Sequence, residues 1–467
     1  MPLLDAKLTF IGACQQVTGS CHLLEFAGLR ILLDCGMPQG GDQLRNLADF
    51  KFCFNPGSID VVILSHVHID HSGLLPLLVR QGFDGVIYCS AQTAELLPVL
   101  LKDSIGLYLA DLERDNRHRP SAKAILPVMD LTDVERTSLY VQALTYDSTI
   151  VLTEGLSFSL QDAGHILGSA IIRLELQRQG QRSVLVFSGD LGNPQSVMMN
   201  QAVLPIDADI IVMEGTYGDR DHKTAADTIA EFSQILADAA KGGGNVYIPA
   251  FALGRSQEVI YFLAMLYFQG LLPQRMIFLD SPMAIEVVSI YSHFFATLNQ
   301  RDLAKVSKVV SADFERLLPI LRLTRTAEQS IAINRIADGA VVIAGSGMCN
   351  GGRILHHFRH CLANDHHHVV FVGFQAQGTL GRRLIDGQNP VRIHGDEIHV
   401  KAQLHTLGGF SAHAGQTDLV RWAHAAKPGC RYFLVHGEMQ ALEVLQAKLQ
   451  HHGKAVAIPY PQEVLHW

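Results

Sequence analysis

Four side chains that commonly bind metal ions lie within six residues of the chain, in the run Ser65-His66-Val67-His68-Ile69-Asp70-His71. The run follows the apolar residues 61–64, which are typical of a buried strand. Because side chains alternate along an extended backbone, His66 and His68 point the same way, and Asp70 and His71 reach a second point after a turn. A surface histidine cluster would explain two histidines alone. The whole run, with ligands that suit zinc or a similar ion, favours two adjacent metal sites.

Three further segments place a metal ligand at the end of an apolar strand or between glycines. His165 has Gly164 and Gly168 nearby, which would let the backbone approach an ion closely. Asp190 follows the apolar residues 184–187, where it could bridge two ions, and His436 follows the apolar residues 432–435. Each segment alone is equally compatible with a strand end capped by a polar residue. Four such clusters in one chain favour a shared metal centre.

With these residues the sequence resembles the metallo-β-lactamase superfamily, whose signature is an H-x-H-x-D-H run followed by a histidine, a bridging aspartate and a last histidine. The resemblance implies two ligand sets that share Asp190 as a bridge: His66, His68 and His165 for one metal, and Asp70, His71 and His436 for the other. Asp34 matches an early aspartate that supports the ligand loop without binding metal. The implied cofactors are two Zn²⁺ ions per chain, with another divalent metal as the alternative.

The interval between Asp190 and His436 is about 245 residues long, which is enough for another domain. Simple members of the superfamily, such as lactamases and glyoxalases, have a much shorter interval there. The sequence therefore resembles the β-CASP branch, the nucleic-acid-processing nucleases that carry an inserted domain. Within this branch it is most similar to bacterial and archaeal relatives of the endonuclease subunit of the pre-mRNA cleavage and polyadenylation factor.

The three additional motifs of this branch are present. Residues 213–219 match motif A with Glu214 as its acidic residue, residues 409–415 match motif B with His413, and motif C contains His436. Residues 242–255, 345–353 and 378–383 also match the branch. The resemblance implies catalytic roles for His413, Glu214 and Asp70. One departure is Gly415, where many members have an aspartate or a serine.

The expected reaction is hydrolysis of RNA phosphodiester bonds by a two-metal mechanism, in which two ions about 3.5–4 Å apart activate water and screen the phosphate charge. The leaving sugar oxygen needs a proton, and His413 is the candidate acid because histidine titrates near neutrality. Glu214 would hydrogen-bond His413 and raise its pKa. We expect RNA or phosphate contacts at four residues of motif B and of a glycine-rich turn before a helix: Ser411, Ser346, Gly347 and Arg353.

Composition sets the class of protein. A chain of 467 residues with 48% apolar content can bury two substantial cores. It has no apolar stretch near the roughly 18 residues of a membrane span, and its first residues lack the pattern of a secretory signal. The eight cysteines form no C-x-x-C pair. Cys14, Cys21, Cys35 and Cys89 are interpreted as small core residues, and a reduced, cytoplasmic protein is expected.

The net charge of −8 argues against a broad nucleic-acid-binding surface. Metal ions would add about four positive charges at the site, and basic residues gather in segments 114–119, 353–360 and 382–383. These segments could line a substrate groove or be solvated helix faces. RNA is the expected partner, no membrane partner is expected, and a homodimer is left open. The tract Asp365-His366-His367-His368 is expected to be a solvated turn, because consecutive histidines in an extended segment cannot all face one ion.

The predicted fold class is α/β. Residues 1–216 and 401–467 would form the metallo-β-lactamase αββα sandwich, and residues 217–400 the inserted β-CASP α/β domain. Apolar spacing predicts helices at 74–80 and 92–104 in the first part. In the insertion, predicted strands at 246–249, 276–279, 340–344 and 369–372 alternate with helical stretches, which indicates a parallel sheet with helical crossovers.

Three functions remain open from the sequence. The favoured one is a metal-dependent ribonuclease in RNA processing or decay, endonucleolytic, with 5′→3′ exonuclease activity left open. The second is a catalytically silent RNA-binding subunit, against which the intact ligand set speaks. The third is a small-molecule hydrolase of the lactamase or glyoxalase type, against which the large insertion and motifs A and B argue.

Overall fold

The computed structural model describes residues 4–38, 47–117, 124–306, 313–373 and 375–467. His118 and Arg119, in the first basic segment, lie outside these ranges. The chain divides into two compact units: unit 1 is Met1–Pro194, Asn200–Asp221 and His413–Trp467, and unit 2 is Gln195–Met199 and His222–Ala412. Within the described residues, every helix is too short or too polar to cross a lipid bilayer. The domain limits predicted from the sequence, at residues 216/217 and 400/401, stay a prediction.

Unit 1 contains two seven-stranded sheets, with strands numbered here in chain order. The first sheet has the order β22-β1-β2-β3-β4-β5-β6, formed by β1 Lys7–Phe10, β2 His22–Phe26, β3 Leu29–Leu33, β4 Val61–Ile63, β5 Val86–Ser90, β6 Val141–Leu144 and β22 Val464–His466. The second has the order β21-β20-β11-β10-β9-β8-β7, formed by β7 Ile150–Thr153, β8 Leu156–Asp162, β9 Ala170–Arg178, β10 Gln181–Phe187, β11 Ile210–Glu214, β20 Arg431–Val435 and β21 Ala455–Ala457.

The two sheets of unit 1 pack face to face through one apolar core. Buried side chains from both sheets, including Phe10, Leu33, Leu174 and Phe433, belong to this core. A second core lies on the outer face of the second sheet, under helices that contribute Trp422 and other buried residues. The helices of unit 1 are α1 Ile69–Ser72, α2 Leu75–Arg80, α3 Ala91–Asn116, α4 Leu131–Ser138, α12 Gln416–His424 and α13 Met439–His451. This architecture confirms the predicted αββα sandwich.

Helix α3 extends beyond the predicted limit at residue 104. Its buried face continues through Ile105, Tyr108 and Leu112, so the apolar spacing persists into the charged segment. The sequence predicted a helix that ends at residue 104 and a separate charged, helical connection from about residue 107, whereas the structure has one continuous helix, Ala91–Asn116. The predicted end at residue 104 was therefore wrong.

Strand direction brings the ends of several strands to one edge of the second sheet. β10, β11 and β20 are mutually parallel neighbours, and β9 is antiparallel to both β8 and β10. The segments that follow β8, β10, β11 and β20 therefore leave the sheet at the same edge. These segments carry the predicted ligands His165, Asp190 and His436.

Unit 2 is built around a six-stranded sheet with the order β14-β13-β15-β12-β16-β19, in which every pair is parallel. Its strands are β12 Val246–Pro249, β13 Met276–Asp280, β14 Leu321–Leu323, β15 Ala340–Ala344, β16 His368–Phe371 and β19 Gln403–Thr406, and a small hairpin comprises β17 Val391–Ile393 and β18 Asp396–Ile398. Its helices are α5 Ala225–Gly242, α6 Arg255–Phe268, α7 Pro282–His293, α8 Gln300–Val306, α9 Ala327–Ile333, α10 Arg353–Cys361 and α11 Leu380–Ile385. The predicted parallel sheet with helical crossovers is confirmed.

Candidate metal centre

The first ligand group joins the loop after β4 to the segments after β8 and β10. His66 Nε2 lies 3.0 Å from His68 Nδ1, and His165 Nε2 lies 3.3 Å from the same atom. Asp190 Oδ2 is 3.4 Å from His66 Nε2 and 3.6 Å from His165 Nε2. These four side chains each turn one ligand atom to a common point, and those atoms all lie within 4.8 Å of one another.

The second group lies on the other side of Asp190. Helix α1 begins after His68 and carries Asp70 and His71. His436 Nε2 lies 3.2 Å from His71 Nε2 and 3.5 Å from Asp70 Oδ2. Asp190 Oδ1 is 3.3 Å from His71 Nε2. Asp190 thus faces one group with Oδ2 and the other with Oδ1, the arrangement that a bridging carboxylate requires.

The chemistry of these donors fits metal ions. Among the described residues, Asp190 Oδ1 is buried and accepts no hydrogen bond, although an unpaired buried carboxylate oxygen is costly. Burial lowers the pKa of His66, lowers that of His68 to about 3 and lowers that of His165 well below its usual range, so these imidazoles are neutral. Neutral imidazole is the form that binds metal. A cation between the two groups would satisfy both the carboxylate and the imidazole lone pairs.

His71 differs from these three histidines because its pKa is raised and not lowered. Burial alone would lower its pKa, but the charges of Asp190 and Asp34 hold it well above the usual value. A positive charge is therefore favoured between these two carboxylates. A metal ion at His71 Nε2 would supply that charge in place of the proton.

Asp34 and Ser65 orient two of the ligands. Asp34 is fully buried; its Oδ2 lies 2.6 Å from His71 Nδ1, and its Oδ1 accepts from the Ser65 N–H at 2.7 Å. The Ser65 hydroxyl donates to Asp34 Oδ2 at 2.9 Å and lies 3.1 Å from His66 Nδ1. Nδ1–H of each histidine can therefore donate to these oxygens, which leaves Nε2 available for a metal. These bonds are the ones that a supporting role for Asp34 requires. The sequence prediction named Asp34 but missed Ser65, which contacts both Asp34 and His66.

Thr216 holds His436 in a comparable way and was also missed. Its hydroxyl donates to the His436 carbonyl at 3.1 Å and lies 3.2 Å from His436 Nδ1. Because a hydroxyl has a single proton, Oγ1 can then accept from Nδ1–H, which leaves Nε2 for a metal. Thr216 lies two residues after Glu214 within motif A, so the motif itself was the available signal.

His413 lies beside the two groups and pairs with Glu214. His413 Nδ1 is 3.2 Å from Glu214 Oε1 and 3.9 Å from Asp190 Oδ2. Burial alone would lower the His413 pKa, but the charges of Glu214 and Asp190 raise it to about 9. The fully buried Glu214 also accepts from the Leu191 N–H at 2.6 Å and the Thr216 N–H at 3.2 Å. This carboxylate is therefore fixed in position and can orient the His413 ring.

The residues predicted to contact phosphate belong to unit 2. The Ser346 hydroxyl accepts from the Asn350 and Gly351 N–H groups and closes its own turn. Arg353 begins α10, and its guanidinium donates to Asp280 Oδ1 at 2.7 Å and to the Thr324 carbonyl at 2.8 Å. Gly347 is buried beneath an aromatic ring, and Ser411 is half-buried. Phosphate contact at these residues stays a prediction, and for Arg353 it would compete with the bonds to unit 2.

Comparisons with known proteins identify the class to which this fold and site belong. Residues 15–145 match the metallo-beta-lactamase superfamily model, residues 256–384 the Beta-Casp domain, and residues 397–459 the Zn-dependent metallo-hydrolase RNA specificity domain. A crystal structure of a protein of unknown function from Enterococcus faecalis V583 has a TM-score of 0.57 at 12% identity, covering 99% of this chain and 100% of that one. At that identity, the likeness concerns the fold alone.

Among curated proteins, ribonuclease TTHA0252 of Thermus thermophilus is 40% identical over 97% of this chain and 98% of its own length. Transcription termination factor FttA of Methanosarcina mazei is 30% identical over 93% of this chain and 67% of its own length. Integrator complex subunit 11 of Danio rerio is 29% identical over 96% of this chain and 71% of its own length. The chain belongs to the β-CASP family of the metallo-β-lactamase superfamily, which confirms the resemblance seen in the sequence.

Proposed function

We propose that this protein is a zinc-dependent ribonuclease that hydrolyses RNA phosphodiester bonds by a two-metal mechanism. The observation that carries the proposal is Asp190, whose two oxygens face two separate groups of imidazole and carboxylate donors. The 40% identity of the whole chain with a ribonuclease, over nearly the full length of both proteins, supports RNA as the substrate.

We assign the ligands to two ions, with Asp190 shared: His66, His68 and His165 on one side, and Asp70, His71 and His436 on the other. The chemistry that bound divalent ions supply is polarisation of the scissile phosphate and activation of the attacking water. Asp34, Ser65 and Thr216 hold the imidazole rings so that Nε2 remains a lone-pair donor.

His413 is our candidate for the proton donor to the leaving sugar oxygen. Its Nδ1 faces Glu214, so Nε2, on the opposite side of the ring, can give a proton to substrate. The paired carboxylate favours the protonated ring and fixes its orientation. Bound cations would offset the nearby carboxylates and bring the pKa down towards neutrality, where an acid catalyst transfers a proton readily.

An RNA labelled at either end, prepared with a 5′-triphosphate or a 5′-monophosphate, tests the function and its mode. Internal fragments that form regardless of the 5′ group would establish the endonuclease that we expect. Mononucleotides released only from the monophosphate RNA would instead establish a 5′→3′ exonuclease. Elemental analysis of protein purified without chelator should find close to two zinc ions per chain.

Two outcomes would contradict the proposal. RNA that is bound but left intact by protein with both ions would indicate a silent RNA-binding subunit. Hydrolysis of a thioester or of nitrocefin without RNA cleavage would indicate a small-molecule hydrolase. A homodimer and a cytoplasmic location stay predictions.

A further inference from the structure

An exposed aromatic ring lies at the carboxyl edge of the parallel sheet of unit 2. Phe251 follows the end of β12 by two residues and is 41% exposed. Single exposed apolar side chains are common on protein surfaces, so its position in the sheet, and not its exposure alone, makes Phe251 a candidate for contact with a ligand.

The topology of the sheet makes this edge a natural binding position. After β12 the chain passes through α6 and returns to the sheet as β13, which lies on the far side of β15. After β15 the chain passes through α10 and returns as β16, which lies on the far side of β12. The connections after the neighbouring strands β12 and β15 therefore run in opposite directions. In open α/β sheets, the crevice for ligands forms at such a point, outside the carboxyl ends of the strands.

Two glycines form the surface beneath the ring. A Cβ on Gly347 would lie 2.8–2.9 Å from three ring carbons of Phe251, and a Cβ on Gly373 would lie 3.6 Å from one of them. Gly347 follows β15 and Gly373 follows β16, the two neighbours of β12. Backbone that follows both neighbouring strands therefore lies close to the ring, while part of the Phe251 surface stays exposed.

The backbone that carries Phe251 is also fixed. Its carbonyl accepts from the Ser256 N–H at 3.2 Å and from the Ser256 hydroxyl at 2.7 Å. Ser256 belongs to the first turn of α6 and is itself buried. The backbone at Phe251 therefore needs no reordering when a ligand group packs on the ring.

We propose that Phe251 is a stacking platform for a nucleobase of single-stranded RNA. An aromatic ring without hydrogen-bonding groups recognises the π-face of a base, whichever base it is. Stacking on aromatic side chains is a common way of holding unpaired RNA. The inference rests on the proposed function for its ligand, and it adds a residue and a mode of contact that the metal centre does not supply.

The test measures binding of a single-stranded RNA in which 2-aminopurine replaces one base at each position in turn. All variants carry Asp190→Ala so that the RNA stays whole. Phe251→Ala should raise the Kd by about 5-fold to 150-fold, the loss that removal of one stacked base produces. It should also relieve the fluorescence quenching at one position, while Phe251→Trp should retain both binding and quenching.

Phe268→Ala is the matched control. Phe268 is 53% exposed in the same unit, but it is the last residue of α6 and lies beside the Tyr267 ring. This variant should bind RNA as the parent does. With an RNA that lacks the base at the quenched position, the difference between Phe251→Ala and its parent should disappear.

Equal Kd values for the Phe251→Ala and Phe268→Ala variants would overturn the proposal. So would a loss in Phe251→Ala that persists with the abasic RNA, since the residue would then act through the fold. Failure of the proposed function is separable from these outcomes. RNA that stacks on Phe251 but is not cut by the wild type would contradict the nuclease alone, and RNA that is cut without any effect of Phe251 would contradict the platform alone.

Discussion

Each unit buries an aspartate that contacts histidine, but the two units differ in how the carboxylate oxygens are satisfied. In unit 2, the fully buried Asp280 accepts from Arg353 with Oδ1 at 2.7 Å and from His357 and Ser330 with Oδ2 at 2.7 and 2.6 Å. In unit 1, Asp190 is equally buried, yet Oδ1 accepts no hydrogen bond from the described residues. Both carboxylates are buried away from water, where an unpaired charge is costly.

This difference separates a structural network from a ligand site. The protein's own donors satisfy Asp280, and although burial would raise its pKa, hydrogen bonds from His357, Ser330 and Arg353 hold that pKa below the usual value. Imidazole nitrogens surround Asp190 at 3.3–3.6 Å without completing its bonds. A histidine–aspartate cluster alone therefore does not indicate a metal, whereas one with an unsatisfied buried oxygen does.

The largest effect is expected at the bridge. Asp190→Ala should remove both ions and reduce RNA cleavage to background, because each ligand group loses its shared donor. Elemental analysis and an end-labelled RNA assay measure the two losses. Asp280→Ala, assayed below its unfolding temperature, should retain both ions. If the Asp190 variant cleaves RNA normally with its metal content unchanged, the ligand assignment is wrong.

His413→Ala separates chemistry from metal binding in unit 1. The variant should keep both ions but lose about 10²–10⁴-fold in cleavage rate, the usual range for removal of a general acid. The defect should shrink for an RNA with a phosphorothiolate at the scissile leaving position, because a thiolate departs without a proton. Equal losses with both RNAs would make His413 a positioning residue, and loss of metal would refute the assignment.

In unit 2 the comparison predicts a loss of stability instead of activity. Asp280→Ala removes the acceptor of the buried His357 Nε2 and one of the acceptors of the half-buried Arg353. It should lower the free energy of unfolding by about 3–5 kcal/mol. Asp338→Ala is the control, because it removes an exposed ion pair with Arg275 in the same unit, typically worth about 0–1 kcal/mol. Denaturant unfolding measures both. Similar losses in the free energy of unfolding for the two variants would show that Asp280 contributes no more to stability than an exposed ion pair does.

The smallest effect is expected at Thr216. Thr216→Val keeps the branched shape but removes the oxygen beside His436 Nδ1, and it should weaken metal affinity by about 10–100-fold. Competition with a chromophoric chelator measures this affinity. Thr216→Ser retains the hydroxyl and should bind metal like the wild type. A valine variant with unchanged affinity would show that β20 alone positions the ring.

The sequence predicted the fold class, and it predicted that distant candidate ligands lie together because they follow strand ends. His66, Asp190 and His436 each follow an apolar run, and parallel neighbours place such positions at one edge. Glu214 and His413 were paired only through the motifs, since 199 residues separate them. The hydroxyls of Ser65 and Thr216 carry no signal of their own, because serine and threonine are common in turns.

Single segments do not show the tertiary partners of their side chains. Phosphate contact at Arg353 stays a prediction, and nothing in the sequence indicated that its guanidinium contacts Asp280, 73 residues earlier. In the histidine tract, His366 is exposed as expected, whereas His367 and His368 are buried. The His367 ring accepts from the Asn245 N–H at 3.1 Å, and His368 lies 3.0 Å from His405. Asn245 lies directly before β12 and His405 lies in β19, and the local pattern cannot reveal such distant partners.

The pairing of β11 with β20 has a consequence for synthesis of the chain. These hydrogen-bonded neighbours are separated by about 216 residues, from Glu214 to Arg431. A ribosome adding about 5–20 residues per second needs roughly 10–40 s to cross that interval. During that time the apolar strand β11 has an open edge, where another strand could pair wrongly. His436 emerges only after this interval, so the candidate metal centre cannot assemble before the chain has been synthesised past that residue.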